Sequence, residues 1–104
     1  MDKEGVIRLS RSYLLKLRNS DITFSEAWIF GSWAKGLNNE NSDIDLAIVL
    51  TGNSRSFDLE VKMMTFRSGE ETLIEPHLFN HEDFNRDNPF AMQVIQHGFR
   101  IANF

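Results

Sequence analysis

The sequence predicts one small α/β (α+β) domain, a mixed sheet flanked by helices, and three observations carry that prediction. Apolar periodicity alternates between helical and extended repeats in the order α-β-α-β-α-β-α, with a short last strand. The 104 residues leave room for a single domain, 1–104, and 41% hydrophobic residues with nine phenylalanines suffice for one core. Finally, the polar residues at the end of the first strand and the start of the second make one site only if those strands run antiparallel.

Lys3 to Asn19 reads as a helix. Val6, Leu9, Tyr13 and Leu17 recur at helical spacing with Leu14 beside them, and Lys3, Arg8, Arg11, Lys16 and Arg18 fall on the polar side, available to phosphates or an acidic partner. Glu26 to Phe30 is a short apolar run halted by Gly31-Ser32, hence a first strand ending at a turn. Ser32 to Leu37 predicts a short helix that Ser32 can cap, followed by a polar loop from Asn38 to Ser42. Asp43 to Leu50 is the strongest strand signal; beyond Asp45 both faces are apolar, as in a central strand covered on both sides.

Phe57 to Arg67 predicts a second long helix, with Leu59, Met63 and Phe66 at helical spacing and Met63 and Met64 as core filler. Thr72 to Phe79 reads as a third strand, which Pro76 places at an edge or a bulge because proline cannot donate to a ladder. Asn88-Pro89 opens a last helix with a cap and a first-turn proline. Gly98 stops it after His97, and Phe99 to Ala102 adds a short final strand.

Composition excludes several classes of function. With no cysteine there are no disulfides, zinc–thiolate sites or cysteine nucleophiles. A net charge of −4 argues against tight unaided binding to nucleic acid, which requires a basic excess. No run approaches the roughly 20 apolar residues of a membrane span, and the charged start is no signal peptide, so a cytoplasmic protein is expected.

Asp43 and Asp45 carry the chemistry. Two residues apart on a strand, their side chains share a face about 6–7 Å apart, while Ile44, Leu46 and Ile48 point into a core. Two carboxylates at the mouth of an apolar strand repel each other and lose solvation, and a hard divalent cation relieves both costs. Gly31-Ser32 opens a helix at a neighbouring strand end, where backbone N–H groups, the Ser32 hydroxyl and Lys35 suit a phosphate. A nucleoside triphosphate with Mg²⁺ fits such a pair. Gly31 to Gly36 matches six positions of a P-loop, but Leu37-Asn38 stands where Lys-Ser/Thr is required, and the dinucleotide fingerprint spacing is absent.

Gly31-Ser32-Trp33-Ala34-Lys35-Gly36, followed by Asn41-Ser42-Asp43-Ile44-Asp45-Leu46, is similar to the signature of the DNA polymerase β-like nucleotidyltransferase superfamily, and of its minimal branch in particular. The resemblance continues through Ile74-Glu75-Pro76-His77 and Asn88-Pro89 to Gly98-Phe99-Arg100-Ile101. It implies the polymerase β-like fold and transfer of a nucleoside monophosphate, from ATP or another NTP, to an acceptor hydroxyl with release of pyrophosphate. It also implies a two-metal Mg²⁺ site on three acids. Asp43 and Asp45 take the first two positions and Glu75 the third, while Gly31, Ser32 and Lys35 bind the nucleotide; Lys35 stands where related motifs often carry arginine.

His77 shares Glu75's face and is a candidate hydrogen-bond partner or general base; Trp33 either stacks on a base or packs in the core. His81 and His97 read as surface residues. Such minimal domains often act with a helical partner of the HEPN type, as the antitoxin of a toxin–antitoxin pair that attaches AMP to the toxin. Two alternatives stand beside this reading: a partner-binding module without catalysis, and a transferase acting on a small molecule such as an aminoglycoside.

Overall fold

The computed structural model describes residues 1–39 and 42–101. Glu40 and Asn41 of the expected polar loop lie outside the described residues, as does Ala102 at the expected end of the last strand.

The first helix, α1, spans Lys3–Arg18 and is capped by Asp2, whose carboxylate accepts from Gly5 N–H at 2.8 Å. Val6, Tyr13, Leu14 and Leu17 form its buried face, as their spacing requires. The next strand, β1, is Phe24–Phe30 and starts two residues before the expected Glu26, with a register irregularity between Phe24 and Glu26. A single turn, α2 (Ser32–Lys35), leads to β2 (Ile44–Leu50). Ser32 does not cap α2: Gly31 holds that position, and Ser32 is the first helical residue.

The second long helix, α3, spans Phe57–Thr65 and is capped by the Ser56 side chain. It ends two residues early because a 3₁₀ segment, Gly69–Leu73, intervenes, taking Thr72 and Leu73 from the expected strand. The third strand, β3, is therefore Ile74–Phe79. A short 3₁₀ turn at His81–Asp83 precedes α4 (Pro89–His97), where the Asn88 side chain accepts from the N–H groups of Phe90 and Ala91. The final strand, β4, is Phe99–Ile101.

The sheet runs in the order β3-β2-β1-β4. β1 pairs antiparallel with β2 and β4, and β2 pairs parallel with β3, so the sheet is mixed. β3 lies at an edge, where Pro76 costs no ladder hydrogen bond, and Arg67 Nη1 covers the start of that edge by donating to Thr72 O and Ile74 O.

Each sheet face buries its own cluster. On one side Ile29, Ile44, Leu46, Ile48 and Ile74 pack with Tyr13, Leu14 and Leu17 of α1 and Met63 of α3. On the other, Ala47 and Phe79 pack with Ala91 and Val94 of α4, flanked by Trp28, Phe30 and Phe84. Three layers result, with β2 central and buried from Leu46 to Leu50. Met64, expected as core filler, is instead exposed, because it follows Met63 on the helix and faces solvent.

Lys16, expected on the polar side and available to phosphates or an acidic partner, is engaged within the chain: it reaches across to the 3₁₀ segment, where its ammonium donates to Phe66 O at 2.8 Å and pairs with the buried Glu71 carboxylate. Beside it, the Tyr13 hydroxyl donates to Met63 O, and burial pushes this phenol far above its usual range.

Candidate active site

Two pairings assemble the acidic site. Antiparallel pairing sets Phe30 opposite Asp45, so the end of β1 lies beside the start of β2. Parallel pairing then sets Asp45 opposite Glu75 and Ala47 opposite His77. Because successive strand residues alternate in direction, Asp45, Glu75 and His77 emerge on the α4 face, while Ile44, Leu46 and Ile74 fill the core behind them.

Asp45 Oδ1 lies 3.1 Å from His77 Nε2, and Glu75 Oε1 lies 3.9 Å from the same nitrogen. Ligand atoms of Asp45, Glu75 and His77 all fall within 4.8 Å of one another. Asp45 and His77 side chains are 25% exposed and Glu75 52%, so the trio opens to solvent. Asp43 stands outside this trio, exposed just before β2 begins.

Gly31 closes the other flank. Its φ of 75° and ψ of −149° suit glycine, and a Cβ there would run into the Asp45 carboxylate. The main chain therefore turns from β1 into α2 directly against an acidic side chain. Ser32 is half-buried at the start of the turn, and Lys35 is exposed at its end. Trp33 packs partly buried against the main core, with its indole N–H directed to Ser42 O at 3.4 Å; the observed contacts are those of a core side chain. His81 and His97 are exposed, as expected.

The His77 ring meets Phe30 edge-on at 5.0 Å and lies 5.7 Å from Phe90, which also contacts Phe79 at 5.4 Å. Beyond His77 opens a cavity of about 320 Å³, lined by residues that include Arg55, Pro76, Phe79, Asn88 and Phe90. Arg55 is held there by Glu60 at 3.0 Å. The sequence offered no signal for Arg55 or Phe90, because the first lies in a loop and the second reads as an ordinary first-turn residue.

Residues 14–103 match the family described as Polymerase beta, Nucleotidyltransferase. The chain belongs to that family. This nucleotidyltransferase is of the minimal polymerase β-like kind, and its four-stranded mixed sheet with flanking helices is the fold of the structures it resembles.

One is the crystal structure of a Sulfolobus solfataricus protein assigned as a nucleotidyltransferase, with a TM-score of 0.67 and 20% identity, covering 92% of this chain and 78% of that one. A toxin–antitoxin structure with AMP-PNP gives 0.58 and 19%, covering 88% and 70%. A mutant toxin–antitoxin complex, MntA-HpeT, in which two aspartates are changed to glutamate, gives 0.58 and 16%, covering 90% and 73%. At these identities the likeness carries the fold. No curated protein matches the chain.

Proposed function

We propose that this nucleotidyltransferase moves AMP from ATP to a hydroxyl on a partner protein, using Mg²⁺ held by Asp43, Asp45 and Glu75. The observation that carries the reading is the contact between the Gly31 turn and the Asp45 carboxylate, with Glu75 in register beside it. The donor set suits a divalent cation. The Asp45 and Glu75 carboxylates converge within 4.8 Å on an open face, and Asp43 precedes Asp45 by two residues at the start of β2. Magnesium bound there supplies charge neutralisation to the triphosphate and lowers the cost of ionising the acceptor hydroxyl.

The chain's own residues divide the remaining work. Gly31 lets the backbone approach the triphosphate, Ser32 offers a hydroxyl donor, and exposed Lys35 adds a positive charge. In the transfer, the acceptor oxygen bonds to the α-phosphorus as the bond to pyrophosphate breaks, and the acceptor proton passes to solvent water. Attacking and leaving oxygens lie roughly in line. With pyrophosphate on the Gly31 flank, the acceptor enters from the Glu75 and His77 flank, where the cavity beside Phe90 opens.

A protein acceptor is supported by the toxin–antitoxin complexes among the structural neighbours, one of them carrying AMP-PNP. The two aspartates mutated in the other complex are two positions apart, the same spacing as Asp43 and Asp45, which supports the choice of this pair. A HEPN-type helical protein is the partner that the sequence resemblance favours, and a cytoplasmic setting goes with it. A second reading, partner binding without transfer, draws on Phe57, Val61 and Met64, exposed apolar residues at i, i+4 and i+7 along α3.

The deciding experiment supplies α-labelled ATP and Mg²⁺, with and without source lysate, to the wild type and to the Asp43→Asn/Asp45→Asn variant. Label on a protein band from the wild type alone is expected. A variant that labels equally well refutes the mechanism, and stable partner binding without NTP or Mg²⁺ that Asp43→Asn/Asp45→Asn leaves unchanged favours the second reading.

A further inference from the structure

The acidic trio contains a nitrogen that the proposed magnesium site does not use. Magnesium takes oxygen ligands and keeps several waters, whereas imidazole is a ligand of first-row transition cations. His77 Nε2 is the atom that faces both carboxylates, 3.1 Å from Asp45 and 3.9 Å from Glu75. Its aim is fixed from two sides. The edge-on contact with Phe30 and the Phe90 ring at 5.7 Å restrict its swing, and the parallel register holds His77 and Glu75 on one face. At 25% exposure, the His77 side chain is neither sealed in the core nor fully open to solvent.

Resting on the transferase reading above, we propose that His77 is a metal ligand with Asp45 and Glu75, and that the site therefore selects manganese over magnesium. Manganese shares magnesium's acceptance of carboxylate and water oxygen, and, being the softer of the two cations, it tolerates an imidazole nitrogen among oxygen ligands better than magnesium does. The rival role for His77 is a hydrogen-bond donor that only orients Asp45. That role improves the site for both cations alike and leaves their ratio untouched.

His77→Gln separates the two roles, since the glutamine amide still offers a donor to Asp45 but no imidazole nitrogen. Calorimetric titration with Mn²⁺ and with Mg²⁺ is expected to show the wild type favouring Mn²⁺, and the variant losing on the order of 10-fold or more of that preference. Pulsed electron paramagnetic resonance on the Mn²⁺-loaded full-length wild type gives a second readout that needs no variant. A nitrogen coupling from a bound imidazole is expected there. An absent coupling, or an unchanged Mn²⁺/Mg²⁺ ratio in a folded His77→Gln protein, overturns the proposal.

Asp45→Asn distinguishes this failure from that of the transferase reading. Loss of both cations in Asp45→Asn, with an unchanged ratio in His77→Gln, removes only the role of His77. Undiminished binding of both cations in Asp45→Asn removes the acidic site itself, and the proposal with it.

Discussion

The contact between Gly31 and Asp45 ties the backbone turn to the acid it serves. A methyl group at position 31 has to enter the space of the Asp45 carboxylate, and the positive φ already disfavours it. Gly31→Ala is expected to cost about 1–3 kcal/mol of stability through strain. Transfer should fall on the order of 100-fold, because displacing a positioned group by about 1 Å has that effect. Thermal unfolding and labelled-ATP turnover measure the two losses, and an alanine variant with wild-type turnover would contradict the assigned geometry. Gly31, Ser32, Asp43 and Asp45 were legible as candidates from short-range spacing, and Glu75 as the third acid that the family resemblance implies on a following strand. The bond from His77 to Asp45 was not legible. It depends on the parallel register of β2 with β3, which no local pattern states.

At the scale of elements, one ion pair fastens α1 to the 3₁₀ segment before β3. Burial pushes the Glu71 carboxyl up, but hydrogen bonds from Lys16 and from the Ser68 backbone outweigh it, aided by the Lys16 charge and the Ser68 hydroxyl. The net effect holds the carboxyl below its usual range. A folded-state value below the unfolded one gives stability that is complete above the ordinary glutamate range and is lost as pH falls through the depressed value. Glu71→Gln should therefore reduce stability at neutral pH by about 1–3 kcal/mol and flatten its acid limb. Urea unfolding in neutral and acidic buffers tests both, and an unchanged acid limb would remove Glu71 from the account. Periodicity could not show this tie, since 55 residues separate the partners. It also absorbed Thr72 and Leu73 into the strand, because a short 3₁₀ segment running into a strand leaves no break in apolar content.

At the scale of the whole molecule, two cores on opposite faces of one sheet keep stability and chemistry apart. Ile48 is fully buried in the α1 and α3 layer, whereas Asp45 and His77 project towards α4. Ile48→Ala is expected to cost about 2–5 kcal/mol, a large share of the roughly 5–15 kcal/mol typical of a domain. Transfer per folded molecule should stay near wild type. Urea titration read beside specific activity checks this, and a large loss in the folded fraction's activity would show the layers to be coupled. The alternation of elements was enough to reveal the fold class, and Pro76 narrowed β3 to an edge or a bulge, of which the structure has the edge. The order β3-β2-β1-β4 needed the structure, because strand adjacency is decided by packing between distant segments.

The guarded edge at β3 bears on how the molecule lives in a crowded solution. An open strand is a template on which other chains can add, the first step of fibre growth. Here proline withholds one donor, and Arg67 occupies the carbonyls of Thr72 and Ile74. Among the described residues the opposite edge, β4, spans Phe99–Ile101. A sheet whose candidate site residues sit on β2 and on the guarded edge strand itself thus offers strangers little to zip onto at that border, while its acidic face stays open to solvent.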